Sequence, residues 1–400
     1  MKVKLAMIGC GAFAQCFIPL FKVHPLVEKV WLCDRNADKL AENVKKYGIA
    51  DTFDSLDAAC ASDEIDACVI ITQNWMHAPQ AIQALKSGKH VYSAVPAGIN
   101  IEELQELVDT VNQTGQIYMM GETSYYKPDT IYCRQRFEAG EFGQVTYAEG
   151  EYYHDWEHGL YDVMKWRGGE NWKRFAGAPP MHYPTHSIGG VLGATDTHLT
   201  HVNCLGFTDE NEDGLYHPGV NDWDNRFSNE SALFRGADGS MIRINEFRRL
   251  GHPGNERMSM WGTDGSFENN RAGAVWLTRD HKNITNVSDM LEPQIVKARV
   301  SGGMEKIGDD AHTGLAQVHD ASRLPREFIG QPNGHSGSHQ FLVDDFVNAC
   351  ATGKQPPMNV WRAARYTVPG IIAHESALKD GERMAIPDLG APPQAIGKTD

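Results

Sequence analysis

Gly9 and Gly11, in the stretch Lys4-Leu-Ala-Met-Ile-Gly-Cys-Gly-Ala-Phe-Ala14, are spaced to hold a phosphate. The apolar run ending at Met7 and Ile8 reads as a buried strand. Gly9 then permits a tight turn, Gly11 lets a pyrophosphate approach the backbone, and Ala14 stands where G-x-G-x-x-G has its last glycine, keeping the next helix close to the strand. Free N–H groups around Ala12 and Phe13, at the positive end of that helix, would face anionic oxygens. Taken alone, the pattern also fits a purely structural turn. A second apolar run, Val30-Trp-Leu-Cys33, ends in Asp34, about 20 residues beyond the turn, where an acid accepts from ribose hydroxyls. Together these residues predict a dinucleotide site.

Two more loops follow apolar strands, the place where open parallel sheets bind ligands. In Thr72-Gln-Asn-Trp-Met-His77, the residues Thr72, Asn74 and His77 either touch the nicotinamide ribose or cap the next helix. In Ser93-Ala-Val-Pro96 the fixed φ of Pro96 shapes a loop beneath the nicotinamide, or else a plain turn. Further on, His154-Asp-Trp-Glu-His-Gly-Leu-Tyr161, with Trp166 and Trp172 beyond, is aromatic and acidic for a connection. It reads as a sugar-binding wall, with Trp156 against C–H faces and Asp155, Glu157 or Glu122 accepting from hydroxyls. It reads equally as an insertion packing its tryptophans on a sheet or a neighbouring subunit. Glu246 and Arg248 share a strand face and form either a site pair or a surface ion pair. The 17 histidines show no H-E-x-x-H or similar spacing, so no metal site is expected.

The elements that must position these groups fall into two patterns. Strands at 66–72, 90–93 and 116–120 alternate with helices, one of them capped by Asn100 with Glu103 three residues on. That predicts a Rossmann doubly wound parallel sheet over residues 1–122. Pro19 requires the first helix to begin late or kink. From residue 123 onward, the alternation of Val145, Tyr147, Glu149, Glu151 and Tyr153 and the turns at Ala237-Asp-Gly and Thr263-Asp-Gly predict antiparallel hairpins. Residues 123–400 are therefore expected to form an α+β domain with an open, largely antiparallel sheet. Its last helices cover 341–347 and 361–378, and 272–334 shows no clear period.

The chain has 400 residues and a formal net charge of -15, which argues against an extended nucleic-acid surface or an anionic membrane. Its eight cysteines include no C-x-x-C pair and read as buried thiols in a reducing compartment. With neither a signal-like N-terminus nor a long apolar run, a cytoplasmic location is expected.

Gly9-Cys-Gly-Ala-Phe-Ala14, Thr72-Gln-Asn-Trp-Met-His77, Gly88-Lys-His-Val91, the loop at Pro96 and Phe142-Gly-Gln-Val145 resemble the Gfo/Idh/MocA family of oxidoreductases over nearly the full length. The resemblance implies NAD bound in the first half and a sugar or polyol presented by the second. Where the family has Glu-Lys-Pro, this chain has Ala94-Val95-Pro96, so the lysine that helps to position the reacting hydroxyl is missing. Its Asp-x-Gly-x-His-x-x-Asp segment is His182-Tyr-Pro-Thr-His186-Ser-Ile-Gly189 here, with only the histidine kept. Tyr183-Pro-Thr-His186, Gly334-His335-Ser-Gly337 and Met119-Met-Gly-Glu122 resemble the branch containing the NAD-dependent α-N-acetylgalactosaminidases. That branch implies oxidation at C3, elimination, hydration and re-reduction, although Ala94 departs from its glutamate.

Oxidising a secondary alcohol needs a base on the hydroxyl, and His186 at the matched position is the expected one. Tyr183, three residues earlier, is expected on the same helical face as a donor or proton relay. Glu122 and His335 are the candidates for a second base. The expected partners are a small carbohydrate and further copies of this chain, with no nucleic acid and no membrane. Three activities are compatible: a sugar dehydrogenase, a hydrolase using NAD internally, and a non-catalytic dinucleotide or sugar sensor. Asp34 predicts NAD rather than NADP, because its carboxylate accepts from the ribose 2′-hydroxyl and repels a 2′-phosphate, with Arg35 the residue able to reverse that choice. Titration calorimetry checks this, and tighter binding of NADP than of NAD is the result that refutes it.

Overall fold

Every residue of β1 (Val3–Ile8) except Lys4 is buried. A strand covered on both faces has no reason to alternate, which is why its sequence is a continuous apolar run. The computed structural model describes residues 2–280, 282–293, 299–300, 303–304 and 312–392. In it β2 (Val27–Cys33), β3 (Ala67–Ile70), β4 (His90–Ser93) and β5 (Tyr118–Met120) complete a parallel sheet of order β2-β1-β3-β4-β5. The chain winds outward in both directions from β1, so a crevice opens beyond Ile8. The helices of this layer are α1 (Ile18–Val23), α2 (Ala37–Tyr47), α3 (Leu56–Ala61), α4 (His77–Lys86) and α5 (Ile101–Thr114).

Local chemistry accounts for their ends. A 3-10 turn at Ala14–Cys16 precedes α1, which starts only at Ile18 with Pro19 in its first turn, where a missing N–H costs nothing. Asn36 Oδ1 accepts from Lys39 N (3.0 Å) to start α2, and Gly48 ends it at φ 60°. Asn100 Oδ1 accepts from Glu103 N (2.8 Å), while Glu103 Oε2 reaches back to Ile99 N (3.2 Å) rather than to Asn100 itself.

After β5 come α6 (Pro128–Glu138) and β6 (Val145–Tyr153), then a connection carrying α7 (Leu160–Gly168) and α8 (Trp172–Ala176), then α9 (Thr185–Thr195). The strands β7 (Leu199–Thr208), β8 (Phe227–Gly236), β9 (Met241–Phe247), β10 (Asn255–Gly262), β11 (Gly265–Asn270), β12 (Gly273–Thr278) and β13 (Ile284–Asn286) follow. Then come α10 (Ser288–Leu291), β14 (Arg299–Val300), β15 (Gly303–Met304), α11 (Ser338–Thr352), α12 (Val360–Leu378) and β16 (Met384–Ala385). The second sheet has nine strands in the order β13-β12-β11-β10-β6-β9-β8-β7-β16. Its neighbours are antiparallel except β6 and β9, which run parallel. Both Asp-Gly turns close hairpins as expected. Within the stretch that showed no period, β12 and β13 extend the sheet, and 281, 294–298, 301–302 and 305–311 lie outside the described residues.

One face of this sheet is covered and the other is open. All 11 residues of α9 are buried. Its backbone lies so close to β6 that a Cβ on Gly150 would stand 2.1 Å from Ser187 O, and one on Gly189 would stand 2.3 Å from Ser124 Oγ. The C-terminal helices return to the first sheet: Met120 N donates to Met358 O (2.9 Å), and Phe346 packs edge-on against Tyr92. One hydrophobic core therefore runs through both sheets. Gly150→Ala inserts a methyl group where backbone already stands, so it should cost about 1–3 kcal/mol in a denaturant melt and displace the start of α9. Wild-type stability together with wild-type activity in this variant would contradict the close approach.

Candidate active site

The glycine turn is held by its own backbone. Gly9 N donates to Cys33 O (2.8 Å) at φ 92°, and a Cβ there would collide with Ile71 O at 2.4 Å. Asp34 sits beside it, Oδ2 accepting from Cys10 N and Oδ1 from Asn36 N, both at 2.8 Å. Each of these oxygens keeps lone-pair capacity for a ribose hydroxyl. Among the described residues, the N–H groups of Gly11, Ala12 and Phe13 have no hydrogen-bond partner, which suits an anion. These donors belong to the turn and its 3-10 extension, since α1 begins too late to supply them. Arg35 is exposed beside Asp34.

The next two loops are tied to each other. His77 is buried at the start of α4; its Nδ1–H donates to Pro96 O (2.9 Å), and its Nε2 lies 3.4 Å from Thr72 O. Burial pushes its pKa down, so it stays neutral and serves to fix the loops at 72 and 96. Thr72 Oγ1 donates to Gln80 (2.6 Å), and Asn74 Oδ1 accepts from Trp75 N (3.1 Å). Neither the 3-10 turn Asn74–Met76 nor α4 has a side-chain cap at its start, so helix capping does not account for the contacts of Asn74 and His77.

The reactive cluster lies where β5 meets α9. His186, in the first turn of α9, donates from Nδ1–H to Glu122 Oε1 (2.7 Å), which also accepts from Ser124 N (2.8 Å). Both side chains are buried, and Nε2 of His186 has no hydrogen-bond partner among the described residues. Glu256 approaches the same Nδ1 (3.9 Å) and is itself held by Lys127 Nζ (2.8 Å). Burial alone would push the imidazole down, but the two carboxylates prevail and hold His186 at about 9. Burial likewise works against the Glu122 carboxylate, and the imidazolium overcomes it, holding the acid down at about 2. Glu122, His186 and Glu256 bring ligand atoms within 4.8 Å of one another, close enough for a cation. The imidazolium and Lys127 already offset the two carboxylates, so this donor set is balanced by protons rather than calling for a metal.

A second histidine faces this cluster from the far end of the chain. Gly334 N donates to His339 Nδ1 (3.3 Å), which assigns the His339 proton to Nε2; that proton goes to His335 Nδ1 (2.8 Å). His335 therefore carries its own proton on Nε2. Burial, then the charge of His186, push it down to about 4, and it stays neutral. Its ring rests edge-on against Phe13 of the glycine turn (centroids 5.7 Å), which links the dinucleotide turn to the His186 cluster.

Other expected residues stand elsewhere. Tyr183 is not on the helix of His186, because Pro184 caps α9 and leaves Tyr183 outside it at φ -127°. Its ring still packs edge-on against the imidazole (5.2 Å), so the neighbourhood is right and the helical reason is not. Trp156 is not a sugar wall: its indole is buried in a small separate core with Leu160, Leu215 and Tyr216, and its Nε1–H donates to Tyr216 OH (3.1 Å). Asp155 spends its oxygens on Glu157 N (2.9 Å) and Leu250 N (2.5 Å), so it shapes backbone. A surface cavity of about 400 Å³ beside it shares no lining residue with the His186 cluster. Glu246 and Arg248 form a buried pair (3.0 Å), not a surface one, and Ser187 of α9 donates to Glu246.

The sequence reading missed Tyr152, Glu256 and Lys127. Tyr152 on β6 is in register with Glu256 on β10 and with Glu246 on β9, so one row of the sheet carries all three beneath α9. The Tyr152 ring lies 5.1 Å from that of His186. The alternation read along β6 picked out the other face of that strand, Lys127 lies on no strand, and the order of the strands was not readable.

Residues 3–122 match the family model described as oxidoreductase family, NAD-binding Rossmann fold. This segment is similar to the Gfo/Idh/MocA oxidoreductases. A glycosyl hydrolase family 109 protein of Streptomyces niveus is 26% identical over 410 residues, covering 97% of this chain and 77% of that one. An alpha-N-acetylgalactosaminidase of Bacteroides fragilis is 32% identical over 211 residues, 49% of each chain. Levoglucosan dehydrogenase, solved with NADH and levoglucosan, superposes with a TM-score of 0.73 at 17% identity, covering 97% of this chain and all (100%) of that one. The fold is thus shared with levoglucosan dehydrogenase, and the NAD-binding character of the first sheet rests on the family model.

The protonation of His186 sets the pH dependence. Alcohol oxidation consumes the neutral imidazole, so its kcat/KM should rise with pH and level off above about 9, whereas carbonyl reduction uses the imidazolium and should fall above that value. Glu122→Gln removes the charge that retains the proton, so both limbs should move toward the ordinary histidine value of about 6.5. His186→Ala should lose turnover by about 10²–10⁴-fold with NAD affinity kept. A pH limb unmoved by Glu122→Gln, or near-wild-type turnover in His186→Ala, would remove the dyad from the chemistry.

Proposed function

We propose that this protein is an NAD-dependent oxidoreductase acting on a secondary alcohol of a sugar or glycoside. The observation that carries this reading is the buried Glu122–His186 pair with an unpartnered Nε2, linked through His335 and Phe13 to a glycine turn whose N–H groups are free. Residues 1–122 hold the dinucleotide and residues 123–400 present the substrate. NAD supplies the acceptor for the hydride that leaves the carbinol carbon. His186 takes the hydroxyl proton at Nε2, Glu122 stabilises the resulting imidazolium, and Nε2–H of His335 donates to a neighbouring substrate oxygen. Tyr152 and Tyr183 flank the imidazole and help to exclude water.

A second reading, hydrolysis of a glycoside through transient oxidation, draws support from the relatives named for glycosyl hydrolase family 109 and from the two histidines held at opposite protonation states. Elimination needs an acid at the leaving oxygen beside the base, and the Nε2–H of His335 supports that role. The open face of the second sheet exposes Leu205, Phe207, Leu233 and Met241, which supports assembly with further copies of the chain. No helix among the described residues is long and apolar enough to cross a membrane, and the acidic charge and free cysteines fit the cytoplasm.

A panel of free sugars and glycosides, read for both NADH and released aglycone, separates the readings. The dehydrogenase should form NADH in step with oxidised product and stop when NAD runs out. Sustained aglycone release at substoichiometric NAD, with solvent deuterium entering the sugar at C2, would replace it by the hydrolase.

A further inference from the structure

The connection between β6 and α9 crosses the dinucleotide crevice, and neither proposed reaction uses it. Its base is anchored on the second half of the molecule. Trp156 sits in the small core with Leu215 and Tyr216, Lys173 Nζ donates to Asp213 O (2.6 Å), and Arg174 pairs with Asp222 (2.8 Å). Its outer part reaches the first sheet. Cη2 of Trp166 lies 3.8 Å from where a Cβ on Gly11 would stand, over the glycine turn itself. Lys39 at the start of α2 places Nζ 3.8 Å from the centre of the Trp166 ring. Phe175 stacks on Trp75, in the loop between β3 and α4, with centroids 4.6 Å apart and planes 15° from parallel. Gly11, Lys39 and Trp75 lie on three separate segments around the crevice, so the strap spans it from the phosphate end to the nicotinamide end.

Trp166 is 54% exposed. Arg167 beside it is exposed and makes no ion pair or hydrogen bond among the described residues. Its charge acts on His77, which ties the loops at 72 and 96, and on Tyr183 beside His186. An aromatic ring over the turn with an unpaired guanidinium beside it suits a diphosphate bearing a nucleoside, with Arg offering planar paired donors to phosphate oxygens. Left-handed glycines mark the joints: Gly159 (φ 93°) before α7 and Gly169 (φ 55°) between α7 and α8.

We propose that α7–α8 is a clasp over the dinucleotide, in which Trp166 and Arg167 are cofactor-binding residues and the Trp75–Phe175 stack is the latch that slows cofactor release. The proposal rests on NAD occupying the glycine turn, and it adds that the bound dinucleotide leaves only when the strap lifts. Opening separates the stacked rings and uncovers the turn, so losing either contact should speed release more than it slows entry.

The test is displacement of NADH from the full-length protein by excess NAD, followed through NADH fluorescence. Trp166→Ala and Phe175→Ala should each release NADH about tenfold faster than wild type, the kinetic equivalent of about 1.4 kcal/mol. Trp166→Phe should keep slow release but lose the energy transfer from the indole to NADH. Release rates in both alanine variants within about twofold of wild type would overturn the clasp while leaving the NAD site intact. A wild-type protein that binds no NADH would overturn the clasp and the dinucleotide reading together.

Discussion

The 2.7 Å hydrogen bond from His186 Nδ1 to Glu122 Oε1 joins the two layers of the molecule at the point where chemistry is possible. Glu122 ends the parallel sheet and His186 begins the helix that lies on the second sheet, so neither half contains the pair. Burying a carboxylate or an imidazolium alone is costly, and breaking such a pair by removing one partner typically costs about 3–5 kcal/mol. The constraint therefore runs outward. α9 has to sit close both to β6 and to the segment after β5 for His186 to reach Glu122, which is why Gly150 and Gly189 carry no side chain. Lys127 has to hold Glu256, so that the second carboxylate raises the imidazole without becoming an unpaired charge.

The parts of this arrangement that could be read from sequence are those set by local chemistry. The glycine turn, Asp34, the cap at Asn100 and the two Asp-Gly hairpins depend on a few neighbouring residues, and each stands where its spacing places it. His186, Glu122 and His335 were legible as individual candidates. Their convergence was not, because 64 residues separate Glu122 from His186 and no local pattern specifies that distance in space. Register across β10, β6 and β9 brings Glu256 and Tyr152 into the same cluster, and register depends on strand order. Trp156 and Asp155 misled for the opposite reason. Aromatic and acidic residues look alike in sequence whether they line a cavity or fill one, and here a satellite core absorbs the indole while backbone N–H groups take the carboxylate.

The two histidines divide the acid–base work through their surroundings. They share a cluster, yet His186 faces two carboxylates and is held up at about 9, whereas His335 faces another histidine and burial and is pushed down to about 4. At neutral pH one is a proton donor carrying charge and the other a neutral donor through Nε2. Separating the pKa values of neighbouring groups is the arrangement by which a site assigns acid and base roles. The hydrogen bond from His339 also fixes which nitrogen of His335 is free, so His335 cannot accept a proton at Nδ1 until that contact breaks.

The absence of a lysine at position 95 takes on a different meaning beside this cluster. Val95 is buried, and a cation there would have stood in the loop beside Pro96. Lys127 brings a positive charge to the cluster, but it is bound to Glu256 through both the carboxylate and the backbone carbonyl (3.2 Å), so it tunes the acids rather than reaching substrate. In the proposed reaction, polarisation of the hydroxyl then falls to His186 itself. With its proton held by two carboxylates, that imidazole is a stronger base once deprotonated but is deprotonated less often at neutral pH. Such a site favours returning a proton to an oxyanion over taking one from an alcohol, unless bound NAD, whose nicotinamide ring is cationic, lowers the imidazole pKa by like-charge repulsion. In the proposed reaction, occupancy of the dinucleotide crevice and the protonation of His186 are in this way linked.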